Sequence, residues 1–221
     1  MDIAVFQSRW EKLLTPFQVD LSVSQRIFGE LASAYATVGR FYHTLLHIEQ
    51  VLKTIENLKL VAIDLSVIQL AAWFHDVIYE PKAQDNEEKS AEYAEVALNE
   101  LSIPLATIAR VKTLILSTKT HQASPHDIDC QIILDADLAI LGAAASEYRE
   151  YARGIRQEYA WVTDEEYRRG RKQVLHKFLQ RKRIYYTSEL FVTLEERART
   201  NLQREIRDLG ESLPIWVNFP N

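Results

Sequence analysis

Ionisable side chains interrupt three strongly apolar stretches of this sequence, and they are of the types that bind metals. In residues 68–78, IQLAAWFHDVI, the positions Ile68, Ala71, Ala72, His75 and Tyr79 have the spacing of one buried helix face. His75 is therefore predicted to point into the core, with Asp76 beside it. A buried carboxylate needs a cation, a metal or several donors nearby. In residues 131–141, QIILDADLAIL, Asp135 and Asp137 are the only charges. They are two residues apart and so point to different faces, leaving one to face a site while the other caps, pairs or supports. In residues 40–52, RFYHTLLHIEQVL, His43 and His47 stand four apart, one above the other on a helix. Either the two hold a metal jointly, or His47 is the ligand and His43 its neighbour in the pocket.

Histidines and aspartates without cysteine suit a divalent ion of borderline or hard character, among them Zn, Mn, Fe, Ni, Co and Mg. Taken singly, a histidine on an apolar face is more often a satisfied core residue, and an aspartate in a helix a cap or ion-pair partner. Their joint occurrence on three separate predicted helices favours a metal site. Ligands drawn from three helices leave positions open for water and substrate, as a catalytic ion requires.

The elements that must position these residues are helices. Apolar periodicity predicts them over residues 2–14, 22–37, 44–59, 64–79, 86–101, 104–118, 129–142, 144–162, 164–181 and 189–209, and strand-like alternation is scarce. Asp64, Asp85–Glu88, Pro104 and Thr163 or Asp164 read as helix starts. The stretch from Thr118 to Asp129 reads as a polar loop with His121 and His126. Residues 210–221 read as an irregular tail, docked or forming a contact surface, with Trp216 and Phe219. Neither a repeat nor a linker is visible. The expectation is one all-α domain over 1–221, with a motif core at about 38–142 and C-terminal helices at about 144–209 packed on it.

Composition excludes several classes. A single cysteine, Cys130, rules out a disulfide framework and multi-thiolate metal sites. Six glycines leave no GxGxxG and no P-loop motif. The longest apolar run, residues 138–145, falls far short of the roughly 20 residues a membrane span needs. The start, MDIAVFQSRWEKLL, lacks the features of a secretory signal, so a cytoplasmic location and no membrane partner are expected. Net charge is −5, yet residues 147–183 hold eleven Lys/Arg against six Asp/Glu. An acidic chain with one basic stretch is a poor general nucleic-acid binder but suits a small anion. Within that stretch Arg156 and Arg171 are the candidates to grip a phosphate.

The whole constellation resembles the HD superfamily of metal-dependent phosphohydrolases. That family's pattern of an early histidine, a His-Asp pair and a later aspartate looks like His47, His75-Asp76 and Asp137 here. The strings FYHTLLHI, WFHDVIYEP followed by DNEEKSAEYA, and EYAWV with YRRGR look like one bacterial branch of it, over about residues 38–205. The resemblance implies an all-α HD-type bundle and one divalent ion held by His47, His75, Asp76 and Asp137. Asp137 is favoured over Asp135 because the family's aspartate stands directly before the position of Leu138. Many members carry Arg or Lys where Leu138 stands, and the departure removes a substrate contact. Some relatives use an acidic residue three or four places after the pair in catalysis. Glu80 has that spacing and is implied to orient or deprotonate water, with Asp76 also in the catalytic set. Extra histidines in some relatives bind a second metal, which marks His121 for a second ion or for phosphate.

The leading expectation is thus a phosphohydrolase acting on a small phosphorylated metabolite, a nucleotide first among them. His43, His121, Arg156 and Arg171 are the expected substrate contacts. Self-association of the chain is compatible with this reading. The alternative is a non-catalytic metal- and nucleotide-binding sensor or interaction module on the same scaffold.

Overall fold

The computed structural model describes residues 2–210, so the tail with Trp216 and Phe219 lies outside the described residues. The described chain is all-helical and without strands. It divides into two compact units, separated in sequence between Ala139 and Ile140, where the sequence led us to expect one domain.

The first unit holds seven α-helices among its described residues: α1 Ile3–Leu14, α2 Leu21–Tyr35, α3 Leu45–Asn57, α4 Leu65–Phe74, α5 Asn86–Glu100, α6 Leu105–Thr118 and α7 Ile128–Asp137. Aspartates fix four of the starts. Asp2, Asp20, Asp64 and Asp127 each accept a backbone N–H of the helix they precede, at 2.8–3.1 Å. Asp85 makes no such bond and pairs with Lys89 instead.

Helix α4 is the axis of this unit. It packs on α1, α3, α5, α6 and α7, and seven of its ten residues are buried. Trp73 sits in a nest of rings, edge-on to Phe6, Trp10 and Phe28 with centroids 6.4, 5.7 and 6.2 Å away. Such edge-to-face pairs stabilise beyond the area they bury. The indole N–H of Trp10 is satisfied by the Ser24 hydroxyl and carbonyl, both at 3.1 Å.

The predicted 64–79 helix stops early, at Phe74, and the reason lies far away in sequence. The carbonyls of Asp76 and Val77 accept the Arg40 guanidinium at 2.7 and 2.8 Å. The N–H and carbonyl of Ile78 are met by the Ser90 hydroxyl at 3.1 and 3.2 Å. Backbone groups that would have continued the helix thus have long-range partners. Likewise α7 ends at Asp137 and tightens into a 3₁₀ turn, Leu138–Gly142, within the predicted 129–142 helix.

The second unit holds α8 Ala145–Glu158, α9 Asp164–Gln180 and α10 Ser188–Asp208. Thr163 and Glu166 exchange reciprocal bonds at the start of α9, a capping box. Gly142 is required by close approach, since a Cβ there would lie 2.7 Å from the Leu194 Cβ. Asn201 of α10 donates to the carbonyls of Leu141 and Ala143 at 2.9 and 3.0 Å.

A buried ion pair ties α9 to α10. Arg171 donates through Nε and Nη2 to Glu205 at 2.8 and 3.1 Å, and through Nη1 to the Tyr151 hydroxyl at 3.2 Å. The Tyr148 hydroxyl also donates to Glu205. Burial opposes the charge on Arg171, but Tyr151 and Glu205 outweigh it and hold its pKa well above the ordinary value. Breaking such a pair strands one buried charge, whereas replacing both partners removes the problem. Arg171→Met is therefore expected to cost about 3–5 kcal/mol in urea unfolding, and adding Glu205→Leu to restore much of it. A single variant as stable as the parent would show the pair to be idle.

Candidate metal centre

The end of α4 places His75 and Asp76. The His75 N–H caps onto Ala71 at 2.9 Å, and its ring Nδ1 lies 2.9 Å from the Ala72 carbonyl. A carbonyl only accepts, so Nδ1 carries a proton and donates. The Nε2 atom is thereby left to face the interior, which is how metal-binding histidines are commonly oriented. His47 comes from the first turn of α3, buried like His75.

Asp137 comes from the last residue of α7. That helix is locked to the start of α4, because the buried Asp129 carboxylate accepts the N–H groups of Ile63 and Asp64 at 2.8 and 3.1 Å. The pair α4 and α7 is thus fixed at one end by Asp129 and presents His75, Asp76 and Asp137 at the other.

These side chains converge. The two Nε2 atoms of His47 and His75 are 3.2 Å apart. His47 Nε2 lies 3.2 Å from Asp137 Oδ1 and 3.6 Å from Asp76 Oδ2. His75 Nε2 lies 3.1 Å from Asp76 Oδ2 and 3.6 Å from Asp137 Oδ1. One ligand atom each from His47, His75 and Asp137 falls within 4.8 Å of the others. Ligand atoms bound at about 2.1 Å to one ion are separated by about 3.0–3.4 Å in tetrahedral or octahedral geometry. The donor set and its spacing fit a divalent ion. The imidazoles are 2% and 1% exposed against 18% and 16% for the Asp76 and Asp137 side chains, so the cluster opens to solvent on its carboxylate side.

The electrostatics favour positive charge at the centre. Burial lowers the pKa of His47 and keeps its ring neutral at neutral pH. Burial works against charge on His75 too, but Asp76 and Asp137 overcome it and raise that pKa well above the usual imidazole range. Burial alone would raise both carboxylates. For Asp76 the charges of His75 and His43 reverse this, and for Asp137 the hydrogen bonds from His121, His47 and His75 do so. Both stay ionised.

The other sequence candidates fall in different places. His121 joins the cluster, its Nε2 3.0 Å from Asp137 Oδ2, the oxygen turned away from His47. Its backbone is left-handed at φ 50°, a strained conformation that histidine tolerates better than most residues. His126 lies exposed in the same loop. Asp135 is fully buried and is not one of the groups that meet His47 and His75.

His43 requires a correction. The sequence placed it on a helix with His47, but α3 begins at Leu45, after an extended Thr44 cap. His43 instead lies in the preceding loop and stacks on Tyr79, centroids 4.1 Å apart. It still reaches the cluster's edge, its ring 5.9 Å from that of His47.

Glu80 is not brought to the cluster. It is exposed, and its carboxylate accepts the Lys82 N–H at 3.1 Å within a turn that Asn86 also holds. Arg156 and Arg171, of the second unit, are both engaged there. Arg156 donates to Tyr159, Asp164 and Val162 and lies over the Tyr167 ring, closing α8 onto the start of α9. Arg171 has all three guanidinium nitrogens occupied by Glu205 and Tyr151. Their sequence signal was cationic periodicity, which internal ion pairs produce as readily as an anion site.

Arg40 is the residue that sequence reasoning passed over. Beyond its bonds to Asp76 and Val77, it donates to the His43 carbonyl at 3.0 Å and lies over the Tyr35 and Tyr79 rings. It joins the loop before α3 to the loop after α4. A lone arginine offers no periodic signal for such a task.

No family model, curated protein or solved structure matches this chain.

Proposed function

We propose that this protein is a metal-dependent phosphohydrolase acting on a small phosphorylated metabolite, with nucleotides the first class to test. One observation carries the reading: two imidazole nitrogens and two carboxylate oxygens meet at 3.1–3.6 Å with the carboxylate side open to solvent. His47, His75, Asp76 and Asp137 would hold the ion. When bound, a divalent ion supplies Lewis acidity toward a phosphoryl oxygen and lowers the pKa of water.

The chain's own groups have distinct tasks in this reading. The Ala72 carbonyl fixes the tautomer and aim of His75. His121 orients Asp137 through the carboxylate's second oxygen and stands at the rim, where a phosphate oxygen can reach its ring. His43, stacked on Tyr79, offers a further donor at the same edge. Arg40 holds the two loops that carry His43 and Asp76 in register.

A second reading, a metal- and ligand-binding sensor, has one observation in its favour. The carboxylate expected to move the proton, Glu80, is committed to its own turn. Turnover separates the two. Purified protein, supplied with Mn, Co, Ni, Zn or Mg, is expected to release phosphate or a nucleoside from a panel of nucleotides and phosphomonoesters. Asp76→Ala is expected to abolish that release. His121→Ala is expected to keep the fold and weaken metal affinity about 10–100-fold, the usual effect of losing an outer-shell partner. Tight binding of a nucleotide recovered intact would decide for the sensor.

A further inference from the structure

A cavity on the first unit is lined by none of the residues of the candidate metal cluster. It is a groove of about 720 Å³ between α1, the N-terminal half of α4 and the C-terminal half of α3. Its charged lining is Arg9, Lys12, Lys53 and Glu56. Lys53 is already paired with Glu49 at 2.8 Å, and Glu56 with Lys59 at 2.6 Å. Arg9 and Lys12 make no hydrogen bond or ion pair among the described residues. The groove therefore carries two uncompensated positive charges, in a chain whose net charge is −5.

Two further features point to a ligand. Asn57, Ser66 and Gln69 line the groove, and their side chains have no hydrogen-bond partner within the described protein. The apolar part of the lining that solvent reaches is Pro16 and Leu65, over the buried Leu13, Leu52 and Trp73. A cavity with apolar lining, a few unspent polar groups and a surplus of one charge is the usual form of a small-molecule site.

We infer that this groove binds an amphipathic organic anion free in solution, its phosphate or carboxylate held by Arg9 and Lys12 and its apolar body lying on Pro16 and Leu65. The inference is independent of the metal cluster and of any hydrolysis there. It does bear on the cluster's scaffold, since α3 and α4 form the groove's walls and also carry His47, His75 and Asp76.

The test uses the full chain with chelator present, so that no phosphate is drawn to a metal. Octyl phosphate, kept below its micelle concentration, is titrated by calorimetry beside inorganic phosphate and octanol. Saturable one-to-one binding of octyl phosphate, much weaker for either half alone, is expected. Arg9→Gln and Lys12→Gln are each expected to weaken it about tenfold, since each removes a charged hydrogen-bond donor. Glu56→Gln is expected to strengthen it. Lys12 is exposed and Arg9 partly buried, and unchanged thermal unfolding verifies that the variants fold. Binding indifferent to Arg9→Gln and Lys12→Gln overturns the inference. So does an absence of octyl phosphate binding, including the case where only sedimenting phosphatidylglycerol vesicles capture the protein.

Discussion

Protein prepared without chelator or histidine tag is expected to carry close to one equivalent of a divalent metal, and His75→Ala to carry almost none. The expectation rests on what His75 supplies. Its Nε2 is 3.1–3.6 Å from three other donor atoms, and the bond from Nδ1 to Ala72 leaves it one aim only. Alanine removes a ligand outright and leaves Asp76 and Asp137 facing each other with one imidazole between them. Loss of affinity should exceed the about 10–100-fold typical of an outer-shell change. Metal content by plasma mass spectrometry gives the answer directly. Linkage gives a second reading, since an ion bound to the native state alone raises stability by about 2.7 kcal/mol at one hundred times its dissociation constant. Added metal should therefore raise the melting temperature of the parent and leave His75→Ala unmoved. If neither protein takes up metal after supplementation, the four residues form a polar core and the hydrolase proposal goes with it.

The second large effect concerns stability. Trp73→Ala is expected to cost about 3–5 kcal/mol, the range for removing a large aromatic from a packed core. Trp73 is 1% exposed and touches rings from two other helices, so α1 and α2 cannot collapse into the space without losing their own contacts. A domain stable by only about 5–15 kcal/mol loses a large share of its margin. Urea unfolding measures this, and Trp73→Phe should recover part of the loss. A cost below about 1 kcal/mol would mean that the ring nest relaxes freely, against the close packing of protein interiors.

The same residues show what the sequence makes legible. The helices were readable because each has an apolar stripe and several have an aspartate just ahead, as at Asp64. His75 was readable as buried because its spacing from Ile68, Ala71 and Ala72 is helical. The end of α4 was not readable, because Arg40 and Ser90 decide it from 36 and 12 residues away. His43 was misplaced for a similar local reason, an extended Thr44 that periodicity does not reveal. Arg171 looked like a phosphate grip because a positive charge has the same sequence appearance whether Glu205 answers it or a ligand does. Asp129 gave no sign that it ties α7 to α4.

The Arg40 fork has a consequence for the order of the candidate ligands. One guanidinium fastens the loop before α3 to the loop after α4, while Asp129 fastens α4 to α7. Much of the ordering entropy of the ligands is therefore spent when the chain folds, before an ion arrives. If the proposed ion binds, its loading would be capture by a finished cage and not folding around a guest. On the proposed reading, uptake of a divalent ion is expected to show little change in heat capacity by calorimetry, because almost no apolar surface would be newly buried. The same reading expects discrimination among ions by size, since a rigid set of donors cannot contract around a smaller one or spread around a larger.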